Sequence, residues 1–259
     1  MDLTCEERPS DSSFVDFIWR SSSGERDGDF ISMAEMHYSM VITKINGKTM
    51  ITVRGPESRA TPAYSPEGAE FFGIMFKPGT FMPYLPPEMV MDRNDVFLPE
   101  ASSKSFWLQG AAWQFPDFEN ADTFINRLAH EGLLIHDPVV GAVLRGEPTK
   151  LSQRTVQRRF LRATGLTYNN VRQIERARYA AKRLRQGVPI LDVVFEAGYF
   201  DQPHLTRSLK HFIGQTPAQL LDQSKSKPLS FLYKTVSNGS NMIQTFDYEP
   251  KEIAYEVHH

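Results

Sequence analysis

The chain of 259 residues reads as an α+β protein: a β-rich N-terminal part, an all-helical module after it, and a β-hairpin extension at the C-terminus. Three observations predict this. Strand patterns and prolines crowd the first 110 or so residues, and an unbroken series of short capped helices follows from Pro138 to about Leu221. Charge follows the same division. Residues 1–136 carry 11 Lys/Arg and 20 Asp/Glu, a net of −9, whereas residues 137–220 carry 14 and 6, a net of +8. With 41% hydrophobic residues the chain can bury a core, and its length suits two domains.

In order, "AEMHYSMVITKINGKTMITVRG" offers two apolar-rich runs around "KINGK", and Asn46-Gly47 is a strong tight-hairpin signal. "AEFFGIMFKPGTF" is a further strand, stopped by Pro78-Gly79. The 17 prolines, many of them between Pro56 and Pro99, exclude long helices there, so a small barrel or sandwich with irregular loops is expected over residues 1–115. "FENADTFINRLAHEGLL" has Phe124, Leu128 and Leu133 near helical spacing, which predicts a linker helix within residues 116–136.

Residues 137–221 read as helices throughout. Asp137 is an N-cap with Pro138 at the first helical position, and Ser152 caps a second helix that stops at Gly165. "TYNNVRQIERARYAAKRLRQG" is a long helix with Val171, Ile174, Ala177, Ala181 and Leu184 on its apolar face. "PILDVVFEAG" and "DQPHLTRSLKHFIG" follow, the latter capped by Asp201. Residues 222–259 return to strand patterns, "PLSFLYKT" and "NMIQTFDY" flanking Asn238-Gly239, so a hairpin that docks back on the β region or on a partner chain is expected.

Composition excludes several classes. Cys5 is the single cysteine, so neither an internal disulfide nor a Cys-rich zinc site can form. No apolar run approaches the ~18 residues that span a bilayer, and the acidic start "MDLTCEERPSDSSF" is no secretory signal, so a soluble cytoplasmic protein without membrane contact is expected.

The stretch "LSQRTVQRRFLRATGLT" holds four arginines and no carboxylate. Val156, Phe160 and Ala163 share one stripe and face the core. Arg154, Gln157, Arg158 and Arg162 fall away from it at spacings of three and four, with no acidic residue within a turn. Arg can bond guanine bidentately and Gln can do the same with adenine, so this face suits base edges in a major groove. A generic basic helix is as often a solvated surface. The plan, however, recurs in "ILDVVFEAGYFDQPHLTRSLKHF". There Leu205, Leu209 and Phe212 form the buried stripe and Gln202, His204, Thr206, Arg207 and Lys210 lie largely off it. Two helix-turn-helix units joined by the long Tyr168–Arg185 helix would present two recognition helices to successive major grooves of double-stranded DNA.

This pattern resembles the AraC/XylS family of bacterial transcription regulators over roughly residues 137–220. Ile190 opens the second unit, Glu196-Ala197-Gly198-Tyr199 leads to His204-Leu205, and Leu209-Lys210 runs through Gly214 to Pro217. Tyr199, Leu205 and Leu209 replace phenylalanines of the family pattern, all apolar changes. Gly141 makes the first leading helix less typical. The resemblance implies base contacts from Arg154, Gln157 and Arg158 in the first unit and from Gln202, His204, Thr206 and Arg207 in the second. Pro203 offers no hydrogen bond there. It implies phosphate contacts from Arg162, Lys210 and helix N-termini. Arg172, Arg176 and Arg178 have a plainer reading: they solvate the long helix or pair with the acidic N-terminal region.

The family couples this module to a variable domain that senses a small-molecule effector or mediates homodimerisation. "FKPGTFMPYLPPEMVMDRNDVFLPE" looks like a loop pattern of its cupin-like sensor domains. By family habit the regulator is more an activator than a repressor, with RNA polymerase as protein partner. His37 is the only histidine before His130, so the His/Glu cluster of a metal-bearing cupin cannot be assembled, and His37 is expected to be an ordinary strand residue. Trp19, Phe72, Phe76, Phe81, Tyr84, Trp107 and Trp113 can line a pocket but are expected to be core or interdomain packing. No catalytic residue, cofactor or metal ligand is assigned. Alkyl transfer, the chemistry of repair proteins carrying the same module, needs a thiolate cluster that Cys5 cannot supply. Two alternatives stand beside the regulator: a binder of nucleic acid without sequence preference, and this module attached to an unrecognised enzymatic domain.

Overall fold

The computed structural model describes residues 4–23, 27–93, 95–222 and 224–230. The N-terminal region runs β1 (Thr4–Pro9), β2 (Val15–Ser22), β3 (Gly28–Ser32), β4 (Ser39–Ile45), β5 (Lys48–Arg54), β6 (Thr61–Ser65), β7 (Glu70–Phe76) and β8 (Thr80–Phe81). A short helix α1 (Pro87–Val90) precedes β9 (Val96–Phe97), β10 (Glu100–Ser102), β11 (Ser105–Leu108) and β12 (Ala111–Gln114). The main sheet is antiparallel with strand order β1-β2-β7-β4-β5-β9. The hairpin at "KINGK" forms between β4 and β5, with Ile45 opposite Lys48. Asn46 and Gly47 have φ of 49° and 73°, the paired positive values that a two-residue turn needs to match strand twist.

The sheet is open. Its edges β1 and β9 pair with no further strand among the described residues; β3 and β6 form a separate pair, β10-β11-β12 a small sheet of their own. The cupin-like closed barrel is therefore not what the strands build. The physical reason is the brevity of β9, whose two residues pair only with β5 and leave no ladder to close on β1. The core lies on the face carrying Val15, Ile18, Met40, Ile42, Ile51, Val53, Ile74 and Phe76, and Phe17, Trp19, Val41 and Met75 form a smaller cluster apart. Trp19, Phe76, Phe81 and Trp113 are buried, Phe72 and Tyr84 half-buried, and Trp107 exposed.

Helix α2 (Ala121–His130) and the short strand β13 (Ile135–His136) occupy the stretch expected as a linker. Phe124 of α2 meets Phe106 and Trp113 edge to face at 6.2 and 6.1 Å, and β13 pairs with β8. The helices α3 (Pro138–Leu144), α4 (Gln153–Thr164), α5 (Tyr168–Arg185), α6 (Ile190–Glu196), α7 (Gln202–Phe212) and α8 (Pro217–Leu221) follow. Their starts are chemically fixed. Asp137, Ser152, Thr167 and Asp201 accept the N–H of Val139 (3.0 Å), Thr155 (3.3 Å), Asn170 (3.2 Å) and His204 (2.7 Å), each cap contributing about 1 kcal/mol. Thr216 and Gln219 close a reciprocal capping box on α8.

The helical module is docked on the β region. One hydrophobic cluster runs through both. The last carbonyls of α7, which have no partner within their helix, accept from strand-side amides: Ala60 N–H bonds His211 O and Ala34 N–H bonds Phe212 O, each at 2.8 Å. Gly165, in the left-handed conformation that ends α4, lies so close to α1 that a Cβ would stand 2.8 Å from the Pro87 Cβ.

A buried ionic group spans the same junction. Arg178 of α5 donates from Nη1 to Glu35 Oε2 at 2.5 Å, and Glu35 Oε1 meets His37 Nδ1. All three side chains are about 85% buried, their relative exposures being 16%, 16% and 15%. Burial by itself would raise Glu35, but the charges of Arg178 and His37 outweigh it and hold the carboxyl well below its ordinary value. Burial would lower His37, and Glu35 outweighs it to raise the imidazole. His37 is thus not an ordinary strand residue: it lies between β3 and β4, inside an ion cluster. At the C-terminus, Leu229 forms a parallel bridge to Ile31, with Ile31 N–H donating to Pro228 O (2.9 Å) and Ser230 N–H to Ile31 O (2.8 Å). The expected hairpin beyond it lies outside the described residues.

Candidate nucleic-acid interface

The first unit is α3 followed by α4. Phe160 and Ala163 are buried and Val156 half-buried, which turns Arg154, Gln157, Arg158 and Arg162 outward, all exposed. The fourth arginine of the stretch does something else. Arg159 donates to both carboxylate oxygens of Asp137, from Nε to Oδ2 at 2.9 Å and from Nη2 to Oδ1 at 2.8 Å. Asp137 thereby caps α3 and fastens α4 to it, a bidentate geometry only arginine can supply. The row of arginines divides by position: Arg159 builds the unit and Arg154, Arg158 and Arg162 face solvent.

The second unit repeats this with α6 and α7. Leu205, Leu209 and Phe212 are buried, while Gln202, Arg207 and Lys210 are exposed. Thr206 is half-buried and spends its hydroxyl on Gln202 O at 2.9 Å. His204 is also half-buried, its ring edge-on to Tyr199 with centroids 5.1 Å apart. Tyr199 itself is a hub. Its hydroxyl lies 2.9 Å from Ser208 Oγ, and the Arg176 guanidinium sits 4.4 Å above its ring. The hydroxyl that distinguishes Tyr199 from phenylalanine therefore has a partner.

Behind both units runs α5. Its 18 residues make a rod about 27 Å long. Val171, Ile174, Ala177, Ala180, Ala181 and Leu184 are buried along it, and Arg183 holds α6 through both oxygens of Glu196 at 2.7 and 3.1 Å. Arg172 is exposed, whereas Arg178 pairs with the acidic N-terminal region. Beside α5 and α7 a cleft of about 330 Å³ opens against Ser58 of the β region, with Asn170, Gln173, Arg176 and His204 among its walls.

Electrostatically the outward faces are uncompensated. Among the described residues Arg154, Arg158, Arg162, Arg207 and Lys210 make no ion pair, although Arg159, Arg178 and Arg183 nearby are all paired. The second unit also carries three exposed large apolar side chains that its charge pattern does not reveal: Leu191 and Phe195 on α6 and Phe200 in the turn before α7. The sequence signal for Phe200 is "GYFDQ", an aromatic directly before the N-cap Asp201.

Residues 147–223 match a family model described as a helix-turn-helix domain. Comparison with curated proteins and with solved structures gave no match. The matched segment contains α4 to α8 whole, together with the arginine row and the Gly198–Pro217 pattern. Residues 147–223 thus form a DNA-binding helix-turn-helix domain of the AraC type, the kind found in transcription regulators.

Proposed function

We propose that the protein regulates transcription by reading a specific DNA sequence with α4 and α7 laid in successive major grooves. The observation that carries this is the pair of unpaired, exposed Arg/Gln faces on two short helices held by one rod. In this reading Arg154, Gln157, Arg158, Gln202 and Arg207 meet base edges, Arg162 and Lys210 meet phosphates, and Thr206 and His204 take contacts along the flank of α7. Arg159 is left out, being committed to Asp137.

The β region is the sensor, and its junction with the helices is the route of the signal. Support comes from the Arg178–Glu35 pair, the two strand-side amides capping α7, and the cleft whose walls include both Ser58 and His204. A small-molecule effector acting there would touch a recognition helix and the β region at once. The family habit extends the reading to a cytoplasmic activator that contacts RNA polymerase, with homodimerisation through the β region and no catalysis of its own.

Selection of DNA from a randomised pool on the full chain tests the reading. The expected product is a motif of two parts with centres about 10 base pairs apart. Retention of DNA without any motif overturns it in favour of a binder that ignores sequence.

A further inference from the structure

Phe200 is the most exposed large hydrophobic residue described, at 91%. Its backbone, in contrast, is closely held. On one side Tyr199 is buried, bonded to Ser208 and covered by Arg176. On the other, Asp201 accepts the His204 N–H at 2.7 Å and starts α7. Between this anchor and this cap, Phe200 stands just before the N-terminal end of α7 with its ring in solvent. The exposed Gln202 and Pro203 stand at that same end. Among the described residues nothing covers the ring, and leaving a phenylalanine in water forgoes the stabilisation its burial would give.

The N-terminal residues of a recognition helix are the ones that approach base edges. In the major groove those edges carry a single kind of apolar group, the 5-methyl of thymine, and phenylalanine is among the side chains suited to contact it. Resting on the DNA reading above, we propose that Phe200 is a specificity-determining residue of the second unit and recognises a thymine through its methyl group. Leu191 and Phe195, also exposed at 71% and 87%, are on α6, the leading helix that crosses the sugar-phosphate backbone and meets no base methyl.

The test uses the motif selected by the full chain. Each thymine is replaced in turn by uracil, which removes the methyl and nothing else, and affinity is measured for the natural chain and for Phe200→Ala. One replacement in the α7 half is expected to weaken the natural chain about fourfold, the equivalent of one buried methyl of about 0.8 kcal/mol. The same replacement is expected to leave Phe200→Ala unchanged. A side chain so exposed supports no core, so the variant's thermal unfolding should match the parent's. A motif indifferent to every methyl, or a methyl effect that persists in Phe200→Ala, overturns the assignment while the DNA reading stands. Unchanged DNA binding with reduced self-association of Phe200→Ala in sedimentation overturns it in favour of a second copy of the chain. Enrichment of no motif at all removes the DNA reading and this inference together.

Discussion

Arg178→Met removes a guanidinium from the buried junction and keeps most of its apolar stem. In the parent, Glu35 takes the Arg178 bond at 2.5 Å, the Met36 N–H at 2.7 Å and the His37 ring. Glu175, 3.9 Å from Arg178, loses its nearest cation as well. Removing one partner of a buried pair costs about 3–5 kcal/mol when the other charge is left alone. Here His37 remains on Glu35 and can carry a proton, so the expected loss is at the lower end, about 3 kcal/mol. That corresponds to a fall in Tm of roughly 6–12 °C for a chain of this size. Urea unfolding of the parent, Arg178→Met, Glu35→Gln and the double variant separates the pair from its surroundings. The two single losses should fall short of additivity by about 1–3 kcal/mol. Additivity within about 0.5 kcal/mol would refute the reasoning, because the pair would then contribute nothing as a pair.

Three further predictions follow from the same contacts. The folded pKa of His37 lies above its ordinary 6.5, so its stabilisation is full below pH 6.5 and lost as pH rises through the raised value. That of Glu35 lies below its ordinary 4.5, so its share is present above 4.5 and lost only as pH falls through the depressed value. The stability difference between the parent and His37→Gln should therefore be largest between pH 4.5 and 6.5 and shrink above it, and a difference that stays constant to about pH 9 contradicts the assignment. Arg162→Ala should weaken binding to all sequences alike and reduce the slope of log K against log salt by about one unit in a titration of affinity with salt. An unchanged slope takes Arg162 out of the phosphate contacts. Ser152→Ala, which leaves the Thr155 N–H without its cap, should cost about 1 kcal/mol in thermal unfolding, and Ser152→Gly only a few tenths.

Local chemistry was legible in the sequence wherever one residue decides one turn. Asn46-Gly47 fixed a hairpin, Asp137, Ser152 and Asp201 fixed helix starts, and the Tyr168–Arg185 span follows from its apolar period and Gly187. The outward faces of α4 and α7 follow from the same period. What escaped depends on partners distant in sequence. Arg178 and Glu35 are 143 residues apart, and no window of the sequence shows that they meet. The place of β7 between β2 and β4 is likewise set by long-range pairing. Arg159 reads like its neighbours until Asp137, 22 residues earlier, is seen to hold it. Phe200 escaped for the opposite reason, since an apolar residue in a turn is expected to find cover and this one does not.

The most direct measurement is a side-by-side selection of DNA on the parent, Arg158→Ala and Arg207→Ala. Each variant should lose base preference in a different half of the motif and weaken specific binding by about 1–3 kcal/mol. Variants that enrich the parental motif with parental affinity would contradict the claim that α4 and α7 read the sequence.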